Sequence, residues 1–207
     1  MGTEHRRQIV VGVTGASGAW YARRLIECLA AGGADVHVIV SPHGKQLFAD
    51  ELDLRSLTPL TLAGGHAERV RMYGYHDVGS RLASGSFLTD AMIICPCSSN
   101  TLGDVAAGTG ANLITRAAHV HLKECRRLVV VPREMPLSRI EIENMLRISQ
   151  AGGILCPAAP GFYMMPKSVA DLVDFVVGKL LDLVGVRHEL RTRWMGPGDT
   201  PGGGQAD

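Results

Sequence analysis

The chain has 207 residues, of which 46% are hydrophobic and 20% are charged, and its formal net charge is +1. This length and composition predict one globular domain with a substantial core. The near-neutral charge argues against a dedicated nucleic-acid surface, and no apolar run approaches the roughly 20 residues that span a bilayer.

Short apolar strand signals alternate with helical patterns along the chain. The strand signals lie at residues 9–13, 36–40, 91–95, 128–131 and, less strongly, 154–156, and one more strand is expected near Val70. This alternation predicts a parallel sheet with crossover helices on both faces.

Two helices have the clearest patterns. Residues 22–30 repeat apolar side chains at spacings of three and four, and Gly32 and Gly33 supply the stop. Residues 169–184 carry one unbroken apolar stripe, which must pack on the sheet. We predict a single domain over residues 8–186, a disordered N-terminus at 1–7, and a tail at 187–207 that is mobile from about residue 196.

The sequence GVTGASG, residues 12–18, follows the first strand and opens the first helix. Glycines there let backbone amides approach a phosphate, and the helix start adds partial positive charge. A dinucleotide site would show GxGxxG and an acidic residue ending the second strand, whereas this chain has GxxGxxG and Ser41. The pattern favours a mononucleotide over NAD, although a tight turn without a ligand would also explain the glycines.

A second polar loop, CSSNT at residues 97–101, follows the strand at 91–95 and begins another helix. Ser98 or Ser99 can cap this helix, but the polar side chains that continue to Thr101 exceed what a cap needs. Such a loop can contact the polar edge of a flat heterocycle.

Four charged side chains flank the buried strand at residues 128–131. Arg116 and Lys123 lie seven residues apart on one face of a helix predicted over residues 111–124. Arg133 and Glu134 follow the strand, at the edge where open α/β sheets bind ligands. The cluster favours an anion site, although a solvated charge run remains an alternative.

Two later segments add candidate ligand contacts. Ser138 and Glu141 form a capping box that restrains the loop PREMPL. Prolines restrict the loop at residues 157–166, so Tyr163 is held either to donate a hydrogen bond to a phosphate or to cover the core. Lys179 borders the apolar stripe of the last helix, which slightly favours a ligand contact.

The cysteines and histidines do not predict a metal site. The five cysteines are odd in number and most lie in apolar segments, which is typical of reduced core thiols. The CPC sequence lacks metal-ligand spacing, and His119 and His121 point to different sides of a helix. With a polar start unlike a signal peptide, the chain is predicted to be cytoplasmic, with no membrane or nucleic-acid partner.

Taken in order, TGASG, SGSF, CSSNT, NLITRAA, LKECRRLVVVPREMPLS, PAAPGFY and the amphipathic last helix resemble the UbiX family of flavin prenyltransferases, in the flavoprotein HFCD superfamily. The resemblance runs from about residue 9 to residue 186. It implies an α/β Rossmann-like or flavodoxin-like three-layer sandwich, in trimers that assemble to a dodecamer with FMN at subunit interfaces. It also implies that a dimethylallyl group from dimethylallyl phosphate joins N5 and C6 of reduced FMN. The prenylated FMN then serves a UbiD-type decarboxylase.

The resemblance assigns roles residue by residue. FMN contacts fall on Gly15, Ala16, Ser17, Ser41, Ser98, Ser99, Asn100, Thr101 and Arg133. Substrate contacts fall on Tyr163, Lys179, Lys123, Arg116 and Trp194. Catalytic roles fall on Ser17, Glu51, Glu134 and Lys123. Some family members have arginine in place of Lys179, and lysine keeps the charge but loses the bidentate fork.

The chain contains no DDxxD sequence of the kind that holds magnesium in many prenyl-transfer enzymes. Lys123, Arg133 and Lys179, with Arg116 and Tyr163 in support, can instead stabilise the departing phosphate, so we predict metal-independent transfer. The departing phosphate, positioned by Glu134, is the first candidate for removing the C6 proton. Glu51 and Ser17 are expected to handle protons around N5.

Two other functions are open at this point. An FMN-dependent cysteine decarboxylase of the HFCD type would need a catalytic histidine and a PxMNxxMW-like loop, and neither occurs at a matching place. A non-catalytic FMN carrier would keep TGASG and CSSNT but would not need Lys123, Glu134, Tyr163 and Lys179 together.

Overall fold

A computed structural model describes residues 6–190 and residue 192. Within this part of the chain, six strands form one sheet in the order β3-β2-β1-β4-β5-β6, and every neighbouring pair is parallel. The strands are β1 Gln8–Val13, β2 Asp35–Val40, β3 Val70–Tyr73, β4 Ala91–Cys97, β5 Arg127–Pro132 and β6 Ile154–Leu155. Each predicted strand is confirmed, including the one near Val70.

Helices cover both faces of the sheet. In the described residues they are α1 Ala19–Ala31, α2 Pro42–Leu52, α3 Pro59–Ala63, α4 Ser99–Ala107, α5 Leu113–Lys123, α6 Arg139–Gln150 and α7 Val169–Val184, with 3-10 turns at Gly64–Arg69 and Arg81–Ala83. Helices α1 and α7 pack together on one face, and α4 packs with α5 and α6 on the other. The predicted three-layer α/β sandwich is therefore confirmed.

Alternating strand side chains build the two cores. Ile9, Val11 and Val13 of β1 pack toward α1 and α7, whereas Val10 packs toward α5. Because both faces of the central strands are covered, these strands are apolar along their whole length. This explains why the sequence shows continuous apolar runs in place of an apolar and polar alternation.

The strand order reverses between β1 and β4. Chain crossovers run outward in one direction from β1 to β3 and in the other direction from β4 to β6. In open α/β sheets, a crevice forms at the carboxyl ends of the two strands that flank such a reversal. The glycine turn after β1 and the CSSNT loop after β4 both leave the sheet at this point.

Some details differ from the sequence-based predictions. Helix α5 begins at Leu113 and not at residue 111, because Asn112 caps it with its side chain. Val169, at the start of the predicted apolar stripe, is 65% exposed, and the buried residues of α7 begin at Val173. The predicted disorder falls mainly on residues 1–5 and from 193 onward, outside the described part of the chain, and so does Trp194.

No helix in the described ranges has both the length and the apolar character needed to cross a bilayer. All five cysteines are free thiols.

Candidate functional site

The turn between β1 and α1 presents its backbone at the carboxyl edge of the sheet. Gly15 and Ser17 are exposed, and Ala16 between them is buried. A Cβ atom at Gly15 would lie only 2.6 Å from Cβ of His43, so a side chain does not fit there without a shift of α2. Gly18 ends the turn with a φ of 133°, a conformation that favours glycine.

A carboxylate from α2 occupies the N-terminus of α1. The N–H groups of Gly18 and Ala19 donate to Glu51, at 3.1 Å and 2.8 Å. A carboxylate at this position satisfies amides that have no partner within the helix and complements the helix dipole. Glu51 therefore fixes the turn against α2. Its carboxylate binds the N–H of Gly18, the residue that directly follows Ser17.

Ser41 has a comparable structural role at the carboxyl end of β2. It is buried, and its hydroxyl caps α2 by accepting a hydrogen bond from the N–H of Gly44 at 3.0 Å. Pro42 follows at the first helical position, where its fixed φ suits the helix. Capping alone accounts for a hydroxyl here, and a ligand contact by Ser41 stays a prediction.

Thr14 joins the glycine turn to the loop after β4. Its buried hydroxyl donates to the carbonyl of Pro96 at 2.9 Å and accepts from the N–H of Ser98 at 2.8 Å. Ser98 in turn caps α4 by accepting from the N–H of Thr101. Asn100, in the first turn of α4, is exposed. These bonds fix the two predicted cofactor loops relative to each other.

Arg133 and Glu134 leave the end of β5 and contact both loops. The Nε of Arg133 donates to the carbonyl of Ser17 at 3.1 Å, and the hydroxyl of Ser99 donates to Glu134 at 3.1 Å. A second oxygen of Glu134 accepts from the N–H of Met135 at 3.2 Å. The structure thus brings together residues from the ends of β1, β4 and β5. Glu134 is exposed and Arg133 is half-buried, so both can reach a ligand.

Tyr163 packs against α7 one helical turn before Lys179. The ring of Tyr163 packs edge-on against Phe175, with ring centroids 5.6 Å apart. Lys179 lies four residues after Phe175, one helical turn further on. Burial raises the pKa of the Cys156 thiol, and the positive charge of Lys179 partly opposes this shift. Cys156 directly follows β6, so Lys179 and the end of this strand lie on the same side of the sheet as α7.

The loop that carries Tyr163 is tightly packed. A Cβ atom at Gly161 would lie 2.7 Å from the ring of Tyr163 and 3.1 Å from that of Phe175. The loop starts alongside β5, where the N–H of Ala158 donates to the carbonyl of Pro132 at 3.2 Å. Tyr163 is therefore held by its neighbours, at the same sheet edge as the residues after β5.

Arg116 and Lys123 face a different segment, residues 83–87, here called the 83–87 loop. The Nε of Arg116 donates to the carbonyl of Ala83 at 3.1 Å, and Lys123 pairs with Glu124 against this loop. Lys123 precedes β5, whereas Arg133 follows it, and a strand of six residues spans about 20 Å. Within one chain, the structure does not bring Lys123 to Arg133 and Glu134.

The described residues contain no group of three or more His, Cys, Asp or Glu side chains arranged to hold a metal ion. The candidate site is instead built from hydroxyls, backbone amides, the carboxylates of Glu51 and Glu134, and cationic side chains.

The family model described as Flavoprotein matches residues 2–181. A protein of Halalkalibacterium halodurans named flavin prenyltransferase UbiX is 46% identical over 197 residues, which cover 93% of this chain and 95% of the relative. The chain belongs to the UbiX flavin prenyltransferase family.

Solved structures of the UbiX type have the same fold. The crystal structure of AnUbiX (PadA1) in complex with FMN and dimethylallyl pyrophosphate has a TM-score of 0.81 at 36% identity, and covers 93% of this chain and 99% of that one. A dodecameric FMN-dependent UbiX-like decarboxylase from Escherichia coli O157:H7 also has a TM-score of 0.81, at 39% identity, with 92% of this chain and 100% of that chain covered.

Three residues that contact the predicted site residues or their supporting loops were not predicted from the sequence. Thr14 joins the two loops, Phe175 supports Tyr163, and Arg126 contacts the 83–87 loop. Phe175 could have been found, because it is the only aromatic residue in the aliphatic stripe of α7 and precedes Lys179 by one turn. The contacts of Thr14 and Arg126 join segments distant in sequence, and no local pattern indicates them.

Proposed function

We propose that this protein transfers a dimethylallyl group from dimethylallyl phosphate to reduced FMN and thereby makes prenylated FMN. The observation that carries the proposal is the meeting of Ser17, Ser99, Arg133 and Glu134 at the carboxyl edge of the sheet. Membership of the UbiX flavin prenyltransferase family supports it. The product is expected to serve a UbiD-type decarboxylase.

The residues at this edge fit FMN. The exposed backbone at Gly15 and Ser17, where His43 leaves no room for a side chain on the glycine, provides amides at close range. The segment from Ser98 to Thr101 adds hydroxyls and amides, and Arg133 adds a positive charge suited to an anionic group. Reduced FMN, when bound there, supplies the N5 and C6 atoms that receive the prenyl group.

Protein cations are proposed to stabilise the departing phosphate, which carries about −1.5 to −2 charges. Tyr163 contacts Phe175 one helical turn before Lys179, and the two are proposed to act on the phosphate together, Lys179 by charge and Tyr163 by donating a hydrogen bond. Transfer is therefore proposed to need no metal ion, so a chelator should leave the rate unchanged.

Arg116 and Lys123 are proposed to complete the site of a neighbouring subunit. Their position before β5, far from Arg133 and Glu134 of the same chain, supports this arrangement. We propose the assembly of trimers into a dodecamer, and the dodecameric UbiX-like structure supports it. Trp194 is proposed to contact the substrate as well.

Glu134 is proposed to position the departing phosphate as the base that removes the C6 proton. The hydroxyl of Ser99 holds one oxygen of this carboxylate at 3.1 Å, which restricts its orientation. Glu51 and Ser17 are proposed to handle protons near N5. The hydrogen bonds from Gly18 and Ala19 hold Glu51 in place beside the turn.

Neither alternative function accounts for these residues as well. An FMN carrier would not need both Tyr163 and Lys179, nor the contact of Ser99 with Glu134. A cysteine decarboxylase would need a catalytic histidine, and the sequence has none at the matching position. We also propose a cytoplasmic location, which the free thiols of all five cysteines support.

Anaerobic incubation with reduced FMN and dimethylallyl phosphate, followed by mass analysis of the released flavin, tests the proposal. The expected product is FMN that has gained a C5H8 unit. Recovery of unmodified FMN, with the flavin shown to have stayed reduced, would count against prenyl transfer. The same reaction with EDTA tests metal independence, and a fivefold or greater loss of rate would contradict it (about 1 kcal/mol).

A further inference from the structure

Arg126 connects the 83–87 loop to the junction between α5 and β5. Its guanidinium donates to the carbonyl oxygens of Gly85 and Phe87, the second at 2.8 Å, and to the hydroxyl of Thr89 at 3.4 Å. Residues 84–90 lie outside the helices and strands, so the hydrogen bonds of regular secondary structure do not satisfy their carbonyls. One side chain therefore satisfies two backbone acceptors and holds the middle and the end of the loop.

Arg126 itself starts from a fixed point. Its backbone N–H donates to the carbonyl of His121 at 2.8 Å, and Cys125 before it has a φ of 53°, so the chain turns at once from α5 into β5. His121 is buried and lies 3.0 Å from the hydroxyl of Thr89, the same hydroxyl that Arg126 contacts. A short polar network thus holds the guanidinium in one position.

The 83–87 loop is the surface against which the two cations of α5 rest. Arg116 donates to the carbonyl of Ala83, and a Cβ atom at Gly85 would lie 2.9 Å from the Nζ of Lys123. Glu124, the partner of Lys123, lies against the same glycine. A shift of the loop would therefore move or release both cations.

We propose that Arg126 is a positioning residue for the prenyl phosphate, an inference that rests on the proposed function. It holds the 83–87 loop so that Arg116 and Lys123 keep the geometry needed to bind the phosphate. Both terminal nitrogens of its guanidinium bind residues 85–89, so Arg126 is proposed to act through Arg116 and Lys123 and not by touching the substrate. FMN binding should not depend on it, because Arg133 and Glu134 lie at the opposite edge of the sheet.

The test compares Arg126→Gln and Arg126→Lys with Arg127→Gln in the full-length protein. Arg127→Gln removes the same charge one residue away. The guanidinium of Arg127 donates to the carbonyl of Leu183 and not to the loop. Three quantities are measured: the KM for dimethylallyl phosphate, the Kd for FMN by flavin fluorescence, and the hydrogen exchange of amides at residues 83–89.

Arg126→Gln should raise the KM at least about tenfold, keep the FMN Kd within about twofold, and speed exchange in the loop. Arg126→Lys should lie between this variant and the wild type, since lysine can reach only some of the acceptors. Arg127→Gln should match the wild type in all three measurements. If Arg126→Gln fails to assemble, Arg126→Lys carries the same comparison.

Other outcomes would overturn the proposal. Faster loop exchange with an unchanged KM would show that the loop does not position the cations. A parallel rise in KM and FMN Kd would show that Arg126 supports the fold in general. Unchanged hydrogen exchange at residues 83–89 would show that Arg126 does not hold the loop. If the wild type prenylates no FMN, the proposed function itself fails. In that case the Kd for inorganic phosphate, measured by calorimetry on the FMN-loaded protein, is compared in place of the KM. Equal phosphate affinities of Arg126→Gln and Arg127→Gln would overturn the inference.

Discussion

The two regions that carry the predicted site residues are built in different ways. At the carboxyl edge, Ser17, Ser99, Arg133 and Glu134 follow neighbouring strands and contact one another within one chain. On the outer face of α5, Arg116 and the Lys123–Glu124 pair instead contact a loop without regular structure. Strand order brings the loops of the first region together, and side-chain contacts such as those of Thr14 then join them. The second depends on side chain to backbone contacts and, under our proposal, on a neighbouring subunit.

Replacing the carboxylate at the edge should have the largest effect. Glu134→Gln is expected to lower kcat by about 100-fold or more, because an amide cannot hold the departing phosphate as a proton acceptor. Ser99 can still donate to the amide oxygen, so the FMN Kd should stay close to that of the wild type. Single-turnover assays with reduced FMN, read by mass, give the rate, and an unchanged rate would contradict the role given to Glu134.

Mixing two inactive variants tests whether the regions come from different subunits. Lys123→Gln and Glu134→Gln oligomers should each be nearly inactive, but random co-assembly should restore about a quarter of the wild-type activity. The reason is that a site drawing these residues from different chains receives both intact in about one case in four. Co-expression with two affinity tags isolates the mixed oligomer. Activity that stays at baseline would place both residues in one chain's site.

Gly15→Ala should weaken cofactor binding without removing any polar group. The new Cβ atom would lie 2.6 Å from Cβ of His43, so the turn or the start of α2 must move. Overpacking of this kind costs about 1–3 kcal/mol, which corresponds to roughly a fivefold to 150-fold rise in the FMN Kd. Gly65→Ala is the matched control, because nothing lies within 4 Å of a Cβ atom there. Equal FMN affinities for the two variants would show that the turn does not hold the cofactor.

Gly161→Ala should have a smaller effect, confined to the prenyl donor. The methyl group would press on the ring of Tyr163 at 2.7 Å and displace it from Phe175. The KM for dimethylallyl phosphate is expected to rise about three- to tenfold, with the FMN Kd unchanged. Tyr163→Phe, which keeps the ring and removes the hydroxyl, separates packing from hydrogen bonding. If Tyr163→Phe has the wild-type KM for dimethylallyl phosphate, the hydroxyl of Tyr163 does not bind the phosphate.

The smallest effect concerns how the free energy of unfolding depends on pH through His37, a histidine beside the 83–87 loop. His37 is buried between Tyr73 and Gln8, and Phe87 of the loop packs edge-on against its ring at 5.4 Å. Burial lowers the pKa of His37 from 6.5, so the unfolded chain takes up this proton before the folded one. The associated stability is fully present above pH 6.5 and is lost as the pH falls from there toward the folded pKa.

His37→Gln should therefore flatten the fall in unfolding free energy between pH 7.5 and pH 5.5, a window of about one unit on either side of the ordinary histidine pKa. Urea titrations at the two pH values measure it. Some slope should remain, because burial also lowers the pKa of His121. Parallel curves for variant and wild type would show that His37 does not contribute.

The sequence predicted the sheet and its ligand-binding edge because these depend on local signals. The apolar runs, the glycine turn and the Ser138–Glu141 capping box each lie within a few residues, and the structure has all of them. The region at residues 53–75 was not predicted beyond the strand near Val70. Its helix α3 has only five residues and depends on Thr58 capping and packing on α1.

Contacts between distant segments could not be read from the sequence. The hydrogen bonds from α1 to Glu51 span about thirty residues, and those from Arg126 to the 83–87 loop span about forty, separations at which no periodicity applies. Arg116 and Lys123 share a helix face as predicted, but their distance from Arg133 depends on β5 lying between them. The predicted roles of individual site residues stay predictions until the variants above are measured.

Because Glu51 already compensates the start of α1, the glycine turn does not need a bound phosphate to remain folded. The apoprotein should then keep a preformed cradle, so that uptake of flavin involves little loss of conformational freedom. Protein stripped of its flavin should be reloaded from solution without a refolding step, which makes side-by-side study of native and altered flavins practical.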